Sequence, residues 1–108
     1  MPYIINFFKF PFNKANEVTK IYVSTLKEFR IKQKELTNEL VPNAIKATED
    51  GIEAIGVHDV KKGKLEEYLI LQQKYMTKFH DIEGCKYRIE VYFKATEAIE
   101  MIGMKMPE

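Results

Sequence analysis

The sequence predicts one α+β domain, residues 1–108, with the element order β-α-β-β-α-β and a short closing helix. Three features carry that reading. Residues 3–10 form a nearly unbroken aromatic and β-branched run, two stretches repeat apolar residues at helical spacing, and residues 85–94 alternate cleanly. A chain of 108 residues suits a single domain.

The first run, YIINFFKF at 3–10, reads as a strand that Pro11 ends. Its continuous apolar character is that of a central strand covered on both faces. Asn13 is positioned to cap a helix over 14–30, where Ala15, Val18, Tyr22, Leu26 and Phe29 make one stripe and Lys20, Lys27 and Glu28 the opposite face. Residues 31–40 admit two readings, an extension of that helix or an irregular crossing with a short helical turn. Pro42 disfavours helix at the residue before it, and 42–49 reads as a short edge strand. Asp50-Gly51 is a hairpin turn leading into a third strand at 52–60, in which Gly56 permits a bulge or a close approach. Lys62-Gly63 turns the chain into a second helix at 64–80, with Leu65, Tyr68, Leu69, Gln72, Tyr75, Met76 and Phe79 on one face. Gly84 opens the last strand at 85–94. Thr96 then caps a short helix at 97–102 that Gly103 stops. This is the ferredoxin-like arrangement, two helices laid on one face of a four-stranded sheet.

Composition excludes several classes. The chain carries 17 basic and 16 acidic residues, a net charge of +1, which is not the basic surface of a dedicated nucleic-acid binder. The lone Cys85 makes no internal disulfide, and the apolar start is broken by Lys9 and Pro11, well short of the roughly 20 residues that span a bilayer. The expectation is an intracellular, cytoplasmic protein with no membrane segment. Phosphate-loop and dinucleotide glycine motifs are absent.

One sheet face is left for another cover. On the first strand either parity is apolar, Ile4, Asn6, Phe8 and Phe10 or Tyr3, Ile5 and Phe7. Leaving either row bare exposes a large apolar patch, so the expectation is a homodimer packed sheet to sheet. The segments VPNAIKATEDGIEAIGVHDVKKGKLEEYL and HDIEGCKYRIEVYFKATEAIEMI, with the order of elements, resemble the dimeric α+β barrel superfamily, and within it small archaeal-type members of no assigned activity. That resemblance implies two facing sheets and room for a small organic ligand. It does not fix an activity, because the superfamily spans monooxygenase-like proteins, lactone isomerases and haem-binding proteins.

The residues a site can draw on follow from this. Arg88, Glu90 and Tyr92 share one face of the last strand, opposite Ile89, Val91 and Phe93. Asn6 interrupts an apolar strand and can position a carbonyl, hydroxyl or water. His58 lies on a face with Ala54 and Gly56 and has an ordinary pKa near 6.5, suited to acid–base work. With Phe8 these make the expected pocket: Asn6, Phe8, His58, Arg88, Glu90 and Tyr92. The main expectation is a homodimer holding a small apolar molecule in a barrel cavity, with no tightly bound cofactor. Its alternatives are a structural or regulatory dimer, a cofactor-free monooxygenase or isomerase, and a weak single-strand nucleic-acid binder using Phe7 or Phe8 with Tyr92. The oxygenase alternative is weakened because the chain has no Trp and lacks an Asn-Trp-His set. His58-Asp59 and His80-Asp81 do not make a metal site, since neighbours on a strand point apart, and His80 reads as a helix-end residue. Tyr22, Tyr68 and Tyr75 read as core or rim, Cys85 as a small hydrophobe, and Met101, Met104 and Met106 as adaptable packing. No catalytic residue is assigned.

Overall fold

A computed structural model describes residues 1–105 and 107. The strand β1 (Tyr3–Phe10) leads through a 3₁₀ turn (Phe12–Lys14) into the helix α1 (Ala15–Leu36). The strands β2 (Thr37–Ala47) and β3 (Ile52–Val60) form a hairpin. The helix α2 (Leu65–Thr77), the strand β4 (Lys86–Tyr92) and the short helix α3 (Ala95–Met101) complete the order. The four strands lie in the order β2-β3-β1-β4, with every neighbouring pair antiparallel. The element order and the central place of β1 are those of a ferredoxin-like sandwich with an added C-terminal helix.

Several boundaries differ from the sequence expectation, each for a local reason. Residues 31–40 are divided between two elements. The helix runs on to Leu36, where Gln33 and Leu36 extend the buried stripe of Val18, and the chain turns extended at Thr37 without an intervening loop. The edge strand therefore begins at Thr37 and includes Pro42. The register shifts between Glu39 and Val41 and again between Val41 and Ala44 accommodate the proline, which cannot donate to a regular ladder. Asn43 sits there with φ 58°, a left-handed conformation that Asn tolerates. Asn13 falls within the 3₁₀ turn and does not cap α1, whose first turn follows Lys14. Before α3, the Lys94 amide donates to the Glu97 carboxylate at 2.9 Å, so Glu97 and not Thr96 satisfies that end. Of the three methionines expected to adapt the packing, Met101 and Met104 are exposed, and Met106 lies outside the described residues.

Pairing fixes the faces. Asn6 stands opposite Gly56 and Ile89, and Ile4 opposite His58. Ile4, Asn6, Phe8 and Phe10 therefore share the helix-covered face with Ala54, His58, Tyr87 and Ile89. Tyr3, Ile5 and Phe7 share the other face with Asp59, Val57, Ile55, Arg88, Glu90 and Tyr92. The core beneath the helices has two clusters. Ile4, Leu36, Val60 and Tyr68 pack at one end, and Phe10, Val18, Tyr75, Met76, Phe79 and Ile82 at the other. Burying side chains of this size contributes roughly 1.5–3 kcal/mol each.

The expectation of a dimeric barrel is corrected here. The sheet is open, with β2 and β4 as free edges, and is not closed into a barrel. The apolar row that called for a second copy is covered by the chain itself. The Arg88 guanidinium lies 3.8 Å from the Phe7 ring centroid and Lys94 Nζ 5.2 Å from that of Tyr3. Tyr3, Ile5 and Phe7 are half-buried, Tyr3 and Phe7 with these cations over their rings. Long cationic side chains shield apolar surface with their stems while their heads stay wet, an option that counting apolar residues on a strand does not weigh. Among the described residues, no helix is long and apolar enough to cross a membrane.

Candidate functional site

The helix-covered face does not pack solidly from end to end. Against the cluster of Phe10, Val18, Tyr75, Met76 and Phe79 a cavity of about 280 Å³ remains, floored by the sheet and walled by α1 and α2. It is larger than the roughly 150 Å³ that holds benzene in an engineered core, and near the lower end of small-molecule pockets. Aromatic side chains dominate its walls. Phe29 stacks on Tyr75 with ring centroids 4.2 Å apart, and Phe8 meets the edge of Phe79 at 4.9 Å. At its rim the Asn43 amide donates to the Tyr22 hydroxyl at 3.1 Å, tying the bulge of β2 to α1.

Two hydrogen-bond relays end at this cavity. In the first, Asn6 Nδ2 donates to the Tyr68 hydroxyl at 2.9 Å, and Tyr68 donates to Gln72 Oε1 at 3.3 Å. Tyr68 is fully buried, and burial raises its pKa, so it stays protonated and can donate. This direction spends the amide N–H of Asn6 and the carbonyl of Gln72. Asn6 Oδ1 is left with no partner, and the amide nitrogen of Gln72 makes no hydrogen bond among the described residues. In the second relay, Thr37 Oγ1 donates to the Gln33 carbonyl at 3.4 Å and lies 3.3 Å from His58 Nδ1. In the arrangement where the Thr37 proton goes to the Gln33 carbonyl, the hydroxyl accepts from His58 Nδ1–H and the lone pair stands on Nε2. His58 is 5% exposed, with its ring 5.3 Å from that of Tyr68. Burial lowers its pKa against a smaller opposing influence of Glu39. The ring is held neutral, with a basic nitrogen bordering an apolar space.

The ionic groups at the cavity are paired. Arg30 donates to Glu39 Oε1 at 3.0 Å, and Gln33 donates to Glu39 Oε2 at 2.8 Å. Gly56 lies on the helix-covered face opposite Asn6, close to His58 and Asn43. A Cβ there would stand 3.6 Å from His58 Nε2 and 3.5 Å from Asn43 Oδ1, ordinary contact distances, so the glycine is not needed for packing and leaves free space at the imidazole.

The six residues expected to form one pocket are separated by the sheet. Asn6, Phe8 and His58 line the cavity. Arg88, Glu90 and Tyr92 lie on the opposite face, where Arg88 Nε donates to Glu90 Oε1 at 3.2 Å and the Tyr92 hydroxyl to Glu90 Oε2 at 2.8 Å. Of the aromatics suggested for nucleic acid, Phe8 faces the helices, whereas Phe7 shares the open face with Tyr92 and lies under Arg88. His58 and Asp59 point apart, Asp59 reaching Lys94 Nζ at 2.8 Å. His80 does not sit at a helix end, because α2 stops at Thr77. Its ring stacks on Tyr87 and Nε2 lies 2.9 Å from that hydroxyl. Burial pushes the Cys85 thiol pKa up, which fits an unreactive packing role. Sequence reasoning missed Gln33, Thr37, Glu39 and Gln72 as site residues. Gln72 had been placed on the apolar stripe of the second helix, and a polar residue on such a stripe is the signal that would have found it.

No family model, curated protein or solved structure matches this chain. The resemblance to archaeal-type dimeric barrel proteins therefore has no support beyond the order of elements, and the single-chain geometry carries the functional argument alone.

Proposed function

We propose that the chain acts without a cofactor on a small uncharged carbonyl compound, as an isomerase of the keto–enol kind, inside the cavity between its own sheet and helices. The supporting observation is His58, neutral, oriented by Thr37 and presenting an unpartnered Nε2 to an aromatic-walled space. A neutral base in such a site can take a proton from the carbon beside a carbonyl. The C–H electron pair becomes the C=C bond as the C=O pair moves onto oxygen. His58 then returns the proton to that oxygen. The amide nitrogen of Gln72, on the same lining, is the donor this reading assigns to the oxygen as charge develops. The substrate is uncharged because Arg30 and Glu39 neutralise each other at the rim. Nothing in this reading needs a second chain.

The test is exchange of the α-protons of phenylacetone in D₂O, followed by NMR. Wild-type protein should accelerate exchange about ten-fold or more over an equal concentration of free imidazole, within the range one positioned base supplies. His58→Gln should return the rate to background. A wild-type rate no faster than imidazole would refute the reading.

A further inference from the structure

The two relays leave more acceptors than donors at the cavity. Asn6 Oδ1 is a buried acceptor without a partner, and neither His58 Nε2 nor the Gln72 amide nitrogen makes a hydrogen bond among the described residues. Asn6 is 8% exposed and His58 5%, so neither has ready access to bulk water. They are neighbours on one face, because Ile4 pairs with His58 and Asn6 with Gly56, and both adjoin Tyr68. A buried acceptor with no donor is costly, so such a site favours a ligand that brings one. Among the described residues at the lining, the one Lys or Arg is Arg30, and it is engaged with Glu39, which favours neither a carboxylate nor a phenolate. The aromatic walls suit a flat ring.

From this we infer that the cavity is built for the uncharged hydroxyl-bearing form of its substrate, an enol or its stable counterpart a hydroxyarene, whose O–H is donated to His58 Nε2. The ketone has no such hydrogen to offer and is held less well. This rests on the keto–enol reading of the same site and adds which tautomer the protein recognises. Thr37 is a positioning residue. Its hydroxyl keeps the hydrogen on Nδ1 and so the lone pair on Nε2. Gly56 leaves space beside that nitrogen.

Three probes of one ring system separate the possibilities by calorimetric titration: 2-naphthol, 2-methoxynaphthalene and 2-naphthoate. The naphthol should bind about ten-fold more tightly than the ether, the scale of one hydrogen bond in a water-poor site, and the naphthoate more weakly than both. On naphthol binding, the His58 Nε2 resonance in a ¹⁵N-labelled sample should shift more than Nδ1. Thr37→Val keeps the shape of the side chain and avoids truncating His58. It should reduce the preference for naphthol over the ether several-fold. Equal binding of naphthol and ether, or tightest binding of naphthoate, overturns the inference. If ketone exchange is accelerated and the ether binds as well as the naphthol, the inference fails and the isomerase reading survives. If the naphthol preference holds without accelerated exchange, the inference about the bound form stands and catalysis is refuted. Failure of all three probes to bind removes both.

Discussion

The two faces of the sheet are built from alternate residues of the same strands and are covered in opposite ways. On one face Ile4, Asn6, Phe8 and Phe10 lie beneath α1 and α2, and the cover is rigid backbone with side chains projecting from it. Helices span a face at a fixed distance, and where their side chains do not fill that distance a cavity remains. On the other face Tyr3 and Phe7 lie beneath Lys94 and Arg88. Flexible side chains drape over what they cover, and around Phe7, Ile55 and Arg88 they leave a hollow of about 480 Å³ lined with Lys9, Lys46 and Lys86. The hollow on the helix side is smaller and aromatic-walled, and it is there that His58 is held neutral. The charged row Arg88, Glu90 and Tyr92 remains in contact with solvent.

The sharpest way to break this contrast is a pair of identical truncations one residue apart. Phe8 contacts Phe10 and Phe79 beneath the helices, whereas Phe7 has Arg88 above it. Phe8→Ala should destabilise the fold by about 3 kcal/mol, the low end for an aromatic core truncation. Phe7→Ala should cost about 1 kcal/mol, close to a partly exposed ring and its cation. Urea denaturation of the two variants measures the difference. Equal losses would mean that the open face is as well packed as the helix face.

This parity was only partly legible in the sequence. The alternation in 85–94 separates Arg88, Glu90 and Tyr92 from Ile89 without reference to any other strand. Deciding that Asn6 and His58 lie on the side away from Arg88 needs the pairings of Asn6 with Gly56 and Ile89, which are properties of register. The run at 3–10 could not supply it, because both of its rows are apolar. The end of α1 was obscured for a different reason. Helix stripes are read from apolar residues, and the residue that carries this stripe through 31–36 is Gln33, buried because Glu39 accepts its amide hydrogen. The partner lies on β2, so the signal is tertiary. The Asp50-Gly51 turn, by contrast, was readable from its dipeptide, although the glycine itself is required by the Phe10 backbone packed against it.

A second test concerns the pH response expected of a buried base. Burial places the folded-state pKa of His58 below its ordinary value of 6.5. Below pH 6.5 the unfolded chain takes up the proton first, so folding stability falls as pH drops toward the folded-state pKa. Above 6.5 this contribution is fully present. Comparing chemical denaturation at pH 7.5 and 5.0 should show a smaller loss on acidification in His58→Gln than in wild type. His80 and the carboxylates are common to both proteins, so the difference isolates His58. Identical pH slopes would mean that the ring is not held neutral, and the contrast between a dry face and a wet one would lose its electrostatic half.

The smallest effect tests what kind of cover the open face has. Arg88 shields Phe7 both as a cation over a ring and as an apolar stem, and its exposed pairing with Glu90 adds little. Arg88→Met keeps a long flexible side chain and removes the charge. Arg88→Ser removes both. If covering apolar surface is what matters, Arg88→Ser should lose roughly 1 kcal/mol and raise the fluorescence of a dye that binds exposed apolar surface. Arg88→Met should then stay within about 0.5 kcal/mol of wild type, as ordinary surface substitutions do. If Arg88→Met falls as far as Arg88→Ser, the charge over the ring is the operative part. Raising salt should distinguish the two further, because burial of the stem is not screened whereas the pairing with Glu90 is. Either result defines the cover chemically. Only an absence of change in both variants would show that Phe7 needs no cover, and with it would go the reason this face stands without a second layer.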